Sequence, residues 1–270
     1  MPSDSRTATT TKTAATSDLA TALRTLGLRR IADELPDFVA RATRSRWSAV
    51  QMLEEAARLE AMERARASGE RRLARARLGR FKAMADFDWS WPRRIDREQV
   101  ERVLALRFLE RQENVVLAAS QGLGKTMIAR NIAHAAVLAG HSALFLTASD
   151  LLLDLARQET ARALERRLQH YARPHVLAVD EIGYLSYDNH AADLLFQIVS
   201  RRYEKRSIVL TTNLAFSDWS TIFPNAACAT ALIDRLTHHA EILRIEGESY
   251  RVREAELAEQ ARRRGPHGPR

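Results

Sequence analysis

From Asn114 onward the chain alternates short apolar runs with longer amphipathic stretches. The runs are VVLAA, SALFLT, HVLAVD, SIVLTT and EILRI. Each is too short for a helix and is bounded by polar or turn residues, so each predicts a buried strand. Most of the segments between them can hold a crossover helix. That alternation predicts an α/β fold, a parallel sheet with helices on both faces. The texture upstream is different. Leu19, Leu23 and Leu26 mark one face of a helix capped by Ser17 or Asp18. Leu28, Ile31 and Leu35 continue a second short helix up to Pro36, where it is expected to stop. After Trp47 and Ser48 a longer helix runs through Val50, Leu53 and Ala57, with Gly69 and Gly79 as its weak points. The pattern divides the chain into a disordered tail (1–17), a small all-helical domain (18–85), a linker (86–95), the α/β domain (96–253) and a basic tail (254–270). Inside the α/β domain, Asp96 is expected to cap a single helix, DREQVERVLALRFLER, with Val100, Leu104 and Phe108 on one side.

Composition narrows the classes. The 270 residues are 46% hydrophobic and 28% charged, the profile of a globular protein. No apolar run approaches the ~18 residues that span a bilayer, so no membrane role is expected. The opening residues lack the apolar stretch of a secretory signal. The lone Cys228 excludes an intramolecular disulfide and suits a reducing compartment, the cytoplasm. The net charge of +8 suits a polyanionic partner, and its distribution sharpens that expectation. Arg64, Arg66, Arg71, Arg72, Arg75, Arg77, Arg80 and Lys82 face only one acid within their own run, Glu70. This run is the candidate DNA-binding surface. It shows no recognition helix that reads bases, so binding to duplex backbone with strong salt dependence is expected. A solvated helix face is the plainer alternative.

Candidate chemistry is concentrated after the first predicted strand, in ASQGLGKT. The phosphate-binding loop pattern G-x-x-x-x-G-K-[ST] is complete here except that Ala119 stands where the first glycine belongs. The strand before it and the helical KTMIARNIAHAAVLAG after it are the context the mechanism needs. Loop N–H groups and the positive helix end would face phosphates. The nucleotide-binding residues are Ala119, Ser120, Gln121, Gly122, Leu123, Gly124, Lys125, Thr126 and Met127. Lys125 would reach the β- and γ-phosphates, and Thr126 would hold Mg²⁺. HVLAVDEIGYL ends a strand in Asp180 and Glu181, the Walker B arrangement. Asp180 would join the Mg²⁺ shell and Glu181 would polarise the attacking water. Asn213, at the tip of SIVLTTN, completes a Walker A, Walker B and sensor 1 set. The implied ligands are ATP and Mg²⁺. The linker aromatics Phe87, Trp89 and Trp91, followed by Pro92, could stack on an adenine or a base, but pinning the linker to the next domain is the expected role. His238 and His239 read as adjacent residues pointing apart near a helix end, without metal-ligand spacing.

The P-loop, DEIGYL, LLFQIVSRRYEKRSIVLTTNLAFSDWSTIF and ALIDRLTHHAEILRIEGESYR together resemble the IstB-like transposition helper ATPases, of the DnaC-like branch of AAA+ proteins. The resemblance extends over roughly residues 19 to 253. It implies an AAA+ core that hydrolyses ATP, duplex DNA and a transposase as partners, and self-association into a ring or helical oligomer. It places Arg235 at the arginine finger acting in trans and Arg251 at sensor 2. The alternative for Arg235 is a surface arginine paired with Asp234 or Glu241. Two departures stand out. Ala119, Ser120 and Gln121 replace the family's Gly-Pro-Pro, and FPNAACATALID lacks an acidic residue common there. The stretch after Ile245 is too short for a full C-terminal helical lid, so dependence on neighbouring subunits is expected. A DnaC-type helicase loader and a non-hydrolysing, nucleotide-gated DNA-binding module remain as alternative readings.

Overall fold

The computed structural model describes residues 17–184, 186–224 and 226–263, apart from the side chains of 257, 258 and 260–263. The tail predicted for residues 1–17 therefore lies, except for Ser17, outside the described residues, as do residues 264–270. The chain forms two compact units, Met1–Arg71 and Arg72–Arg270.

The first unit is helical: α1 (17–25), α2 (Arg29–Asp33), α3 (Leu35–Arg44) and most of α4 (Ala49–Ala76). Its core is Ile31, Leu35 and Phe38, with Leu23, Trp47, Met52, Ala56 and Leu59 packed against them. Ser17 is already helical, so neither it nor Asp18 is the cap. Of the predicted α1 face only Leu23 joins the core, while Leu19 and Leu26 are exposed. Pro36 starts a helix rather than ending one: it lies in the first turn of α3, where its missing N–H costs nothing. Val50, Leu53 and Ala57 face solvent, and α4 buries the neighbouring stripe Met52–Ala56–Leu59 instead. Glu60, on that inner side, accepts a hydrogen bond from the Ile31 N–H at 2.9 Å. It thereby satisfies an early donor of α2, whose own N-cap side chain makes no such bond. Gly69 does not interrupt α4.

The second unit contains the five strands of the described residues: β1 (Asn114–Ala119), β2 (Ala143–Thr147), β3 (Val176–Ile182), β4 (Ser207–Thr212) and β5 (Ala240–Ile245). They form one parallel sheet in the order β2-β3-β4-β1-β5. Strand alternation places side chains on opposite faces. Val116, Leu177, Val179, Ile208 and Leu210 join one core with α8 (Ala148–Ala156), α9 (Ala161–Ala172), α10 (Asn189–Arg202) and α11 (Ala226–Thr237). Val115, Leu117, Val176, Ala178 and Val209 join the other with α5 (Arg97–Leu104) and α7 (Lys125–Leu138). Asp96 caps α5, accepting from Gln99 N–H at 2.9 Å. The single helix expected there is two, because Leu106 adopts φ +63° and α6 (Arg107–Glu110) starts afresh. After β5 the described chain adds one helix, α12 (Tyr250–Arg263). Buried Arg202 donates to the carbonyls of Tyr171, Ala172, Pro174, His175 and Ser207, tying the end of α9 to the starts of β3 and β4. Among the described residues no helix is long and apolar enough to cross a membrane.

Candidate active site

In a parallel sheet, ligands bind beyond the carboxyl ends of the strands, where connections diverge to either side. Here β1 sits between β4 and β5, and the β1–α7 loop emerges at that end. A cavity of about 560 Å³ opens over it. Gln121 to Met127, Glu181, Asn213 and Arg251 line it, together with Phe87, Trp91 and Tyr250. The fold thus gathers most of the predicted nucleotide-site residues from four separate segments of the chain.

The loop's two glycines are structurally required. Gly122 has φ +79° and Gly124, the N-cap of α7, has φ +86°. A Cβ on Gly122 would lie 2.0 Å from Ser249 Oγ, and one on Gly124 would lie 2.6 Å from Phe87 Cε2. Ala119 is different. It is still a strand residue, paired with Ile245 of β5, and it is absent from the positive-φ residues. Its methyl group packs at the edge of a core. The missing first glycine therefore removes no conformational freedom that this backbone uses.

Lys125 Nζ donates to the carbonyls of Ala119 and Ser120 at 2.6 and 2.7 Å. Burial lowers its pKa, with Arg251 acting in the same direction and Asp180 and Glu181 opposing. Thr126 Oγ1 donates to Asp180 Oδ1 at 3.1 Å, so the two predicted Mg²⁺ ligands are side by side. Both are hard oxygen donors, the chemistry Mg²⁺ requires. Buried Thr211 of β4, which the sequence did not single out, donates to the same Oδ1 at 2.5 Å and accepts the Glu181 N–H at 2.9 Å. Glu181 itself has φ +64°.

The linker does more than cover the domain surface. Phe87 and Trp89 pack against the second core, as the pinning role requires. Phe87, Trp91 and Pro92 also wall the cavity. Trp91 Nε1 donates to the Glu248 carbonyl at 2.9 Å, and the Arg253 guanidinium lies 4.3 Å from the Trp91 ring centre. Tyr250 N–H donates to the Gly122 carbonyl at 3.0 Å, bringing the first turn of α12 to the loop.

Arg235 does not line the cavity, and its partners are neither Asp234 nor Glu241. Its guanidinium lies 4.4 Å from the Phe196 ring centre and donates to Ser200 Oγ. The basic run is not uniformly free. Arg66 bridges Glu63 and Glu70, Arg64 donates to the Gly27 carbonyl, and Lys82 lies 3.5 Å from Glu254. Arg71, Arg75, Arg77 and Arg80 are exposed, whereas Arg72 is half-buried. His238 and His239 follow α11 rather than lying on it, and do not point apart: their ring centres are 4.1 Å from each other and both face Glu204. Tyr203 Oη hydrogen-bonds His238 Nδ1 at 2.7 Å, making this an exposed contact cluster beside the start of β1.

The sheet order, the glycine-bound loop and the paired Thr126 and Asp180 define a P-loop nucleotide-binding core of the AAA+ type. Residues 21–258 match the family described as IstB-like ATP binding protein, and the chain belongs to that family. A Pseudomonas aeruginosa protein named for ATP binding in insertion sequence IS21 is 43% identical over 189 residues, 70% of this chain and 71% of its own length. A counterpart from insertion sequence IS232 of Bacillus thuringiensis subsp. berliner is 36% identical over 87% of this chain and 94% of its own. Among solved structures, DnaI matches with a TM-score of 0.51 at 20% identity, covering 62% of this chain and 89% of its own, which is a likeness of fold.

Proposed function

We propose that this protein is the ATP-hydrolysing helper of an insertion-sequence transposition system, assembling on duplex target DNA and engaging a transposase that performs the strand transfer. The observation that carries the hydrolytic part is the cluster at the end of β3. Asp180 lies against Thr126, and Glu181, one residue on, lines the cavity. Thr126 and Asp180 would hold Mg²⁺, which would neutralise charge on the β- and γ-phosphates. Lys125 exchanges two loop carbonyls for phosphate oxygens, and Glu181 takes the proton of the attacking water. Asn213 and Arg251 orient the γ-phosphate from the cavity wall. Arg235, held by Phe196 and Ser200, serves the site of a neighbouring subunit. The exposed arginines from Arg71 to Arg80 meet the DNA backbone.

The test is steady-state ATP hydrolysis with and without duplex DNA, at low and moderate salt. DNA is expected to stimulate turnover. Glu181→Gln is expected to lower it by roughly a hundredfold or more, the scale of a lost general base. ATP binding without turnover in every condition would reject the hydrolytic reading and leave a nucleotide-gated binding module. Arg71→Ala together with Arg75→Ala is expected to reduce the slope of log affinity against log salt by about two. An unchanged slope would place the DNA contact elsewhere.

A further inference from the structure

The two acids of the site occupy an irregular piece of sheet. β3 and β4 run in register as far as Val179 opposite Leu210 and resume with Ile182 opposite Thr212. Two residues of β3, Asp180 and Glu181, therefore face one residue of β4, Thr211. Such a bulge leaves a residue outside the ladder and turns its side chain in a new direction. Glu181 takes the left-handed conformation, at φ +64°, and lines the cavity. A glutamate is uncommon in that conformation, and here it stands within a strand pair rather than in a turn.

Thr211 supplies what the bulge lacks. Its side chain is buried, 1% exposed, and its hydroxyl makes two contacts. Oγ1 accepts the Glu181 N–H at 2.9 Å and donates its own hydrogen to Asp180 Oδ1 at 2.5 Å. A hydroxyl has one donor and two acceptor sites, so both contacts are satisfied together. The same Oδ1 accepts from Thr126 at 3.1 Å. One buried hydroxyl thus joins the backbone of one acid to the side chain of the other.

We propose that Thr211 is a positioning residue for ATP hydrolysis. It holds the Asp180 carboxylate against Thr126 and keeps the Glu181 backbone in the conformation that presents its carboxylate to the cavity. This role rests on the reading of Glu181 as the base and Asp180 as an Mg²⁺ ligand. A positioning hydroxyl has a different signature from a packing methyl. Thr211→Val keeps the shape and removes both contacts, whereas Thr211→Ser keeps both contacts and removes the methyl group.

The experiment measures kcat, the affinity of a fluorescent ATP analogue with and without Mg²⁺, and thermal melting for both variants. For Thr211→Val, Mg²⁺-free affinity is expected to stay within about twofold, because Lys125 and the loop are untouched. The gain in affinity on adding Mg²⁺ shrinks, and kcat falls about tenfold or more at saturation, the mark of an interaction lost in the transition state. Thr211→Ser stays within about threefold of the parent. Equal losses in both variants, or none in either, would overturn the proposal. If Thr211→Val does not fold, Thr211→Ala replaces it against Thr211→Ser: impaired alanine with near-parental serine supports the role, and equal behaviour refutes it. A parent protein without turnover would reject the hydrolytic reading. The Mg²⁺ dependence of binding would still decide whether Thr211 positions Asp180.

Discussion

Replacing Ala119 by glycine would restore the full P-loop pattern, and the structure argues that it would damage the protein. Ala119 pairs with Ile245 in the ladder and has no positive φ to relieve. Glycine in a strand costs about 0.5–1 kcal/mol relative to alanine through backbone entropy. A fully buried methylene is worth ~0.8 kcal/mol, and the half-buried methyl here contributes roughly half of that. The sum is about 1–1.4 kcal/mol of lost stability. In a unit the size of Arg72–Arg270, each kcal/mol shifts Tm by about 2–4 °C. Ala119→Gly should therefore melt roughly 2–6 °C lower by differential scanning calorimetry. Isothermal titration with ATP should give an affinity within about twofold of the parent, because the Ala119 carbonyl that receives Lys125 is backbone and survives the change. A severalfold gain in affinity or turnover with an unchanged Tm would refute the reasoning. It would mean that the loop samples a conformation at position 119 that only glycine reaches.

Other substitutions test other parts of the framework. Gly124→Ala places a methyl group at φ +86° and against Phe87, so ATP affinity should drop at least about tenfold, measured by titration. An unchanged affinity would mean that Phe87 yields freely. Arg202→Met removes a donor from five carbonyls, of which His175 keeps the Ser207 N–H, and should destabilise the second unit by on the order of 3 kcal/mol in urea unfolding. The Asp154–Arg167–Tyr171 cluster predicts the pH profile. Burial opposes ionisation of Asp154, but hydrogen bonds from Arg167 and Tyr171 and the Arg167 charge hold its carboxyl below the usual range. Its contribution is therefore present above the unfolded value near pH 4 and is lost as pH falls through the lower folded one. Burial first, then Asp154, pushes the Tyr171 hydroxyl up to about 12, so its contribution is lost as pH rises from about 10 toward that value. Melting scans should show both declines, with Tyr171→Phe flattening the alkaline one.

What could be read from the sequence, and what could not, follows from where each constraint originates. The five strands and α7 were legible because each carries its signal within itself, as an apolar run of strand length or a glycine-lysine turn. The candidate nucleotide-binding residues rest on the same kind of signal: a phosphate-loop pattern puts its glycines, lysine and threonine on one short stretch. Features decided by a distant partner were not. The α4 stretch from Ala49 to Leu59 offers two plausible apolar stripes, and the packing of α2 and α3 selects Met52–Ala56–Leu59 over Val50–Leu53–Ala57. Glu60 looks like one more surface acid until Ile31 is beside it. The break at Leu106 falls among residues that all tolerate a helix. The two acids of the candidate site show the same limit at close range. Asp180 and Glu181 follow an apolar strand as the Walker B pattern requires, yet their aim depends on a register shift against β4. Thr211, which accommodates that shift, sits in SIVLTT as an ordinary β-branched strand residue. A local motif can thus nominate the groups of a site, while the contacts that orient them arise only when strands far apart in the chain are paired.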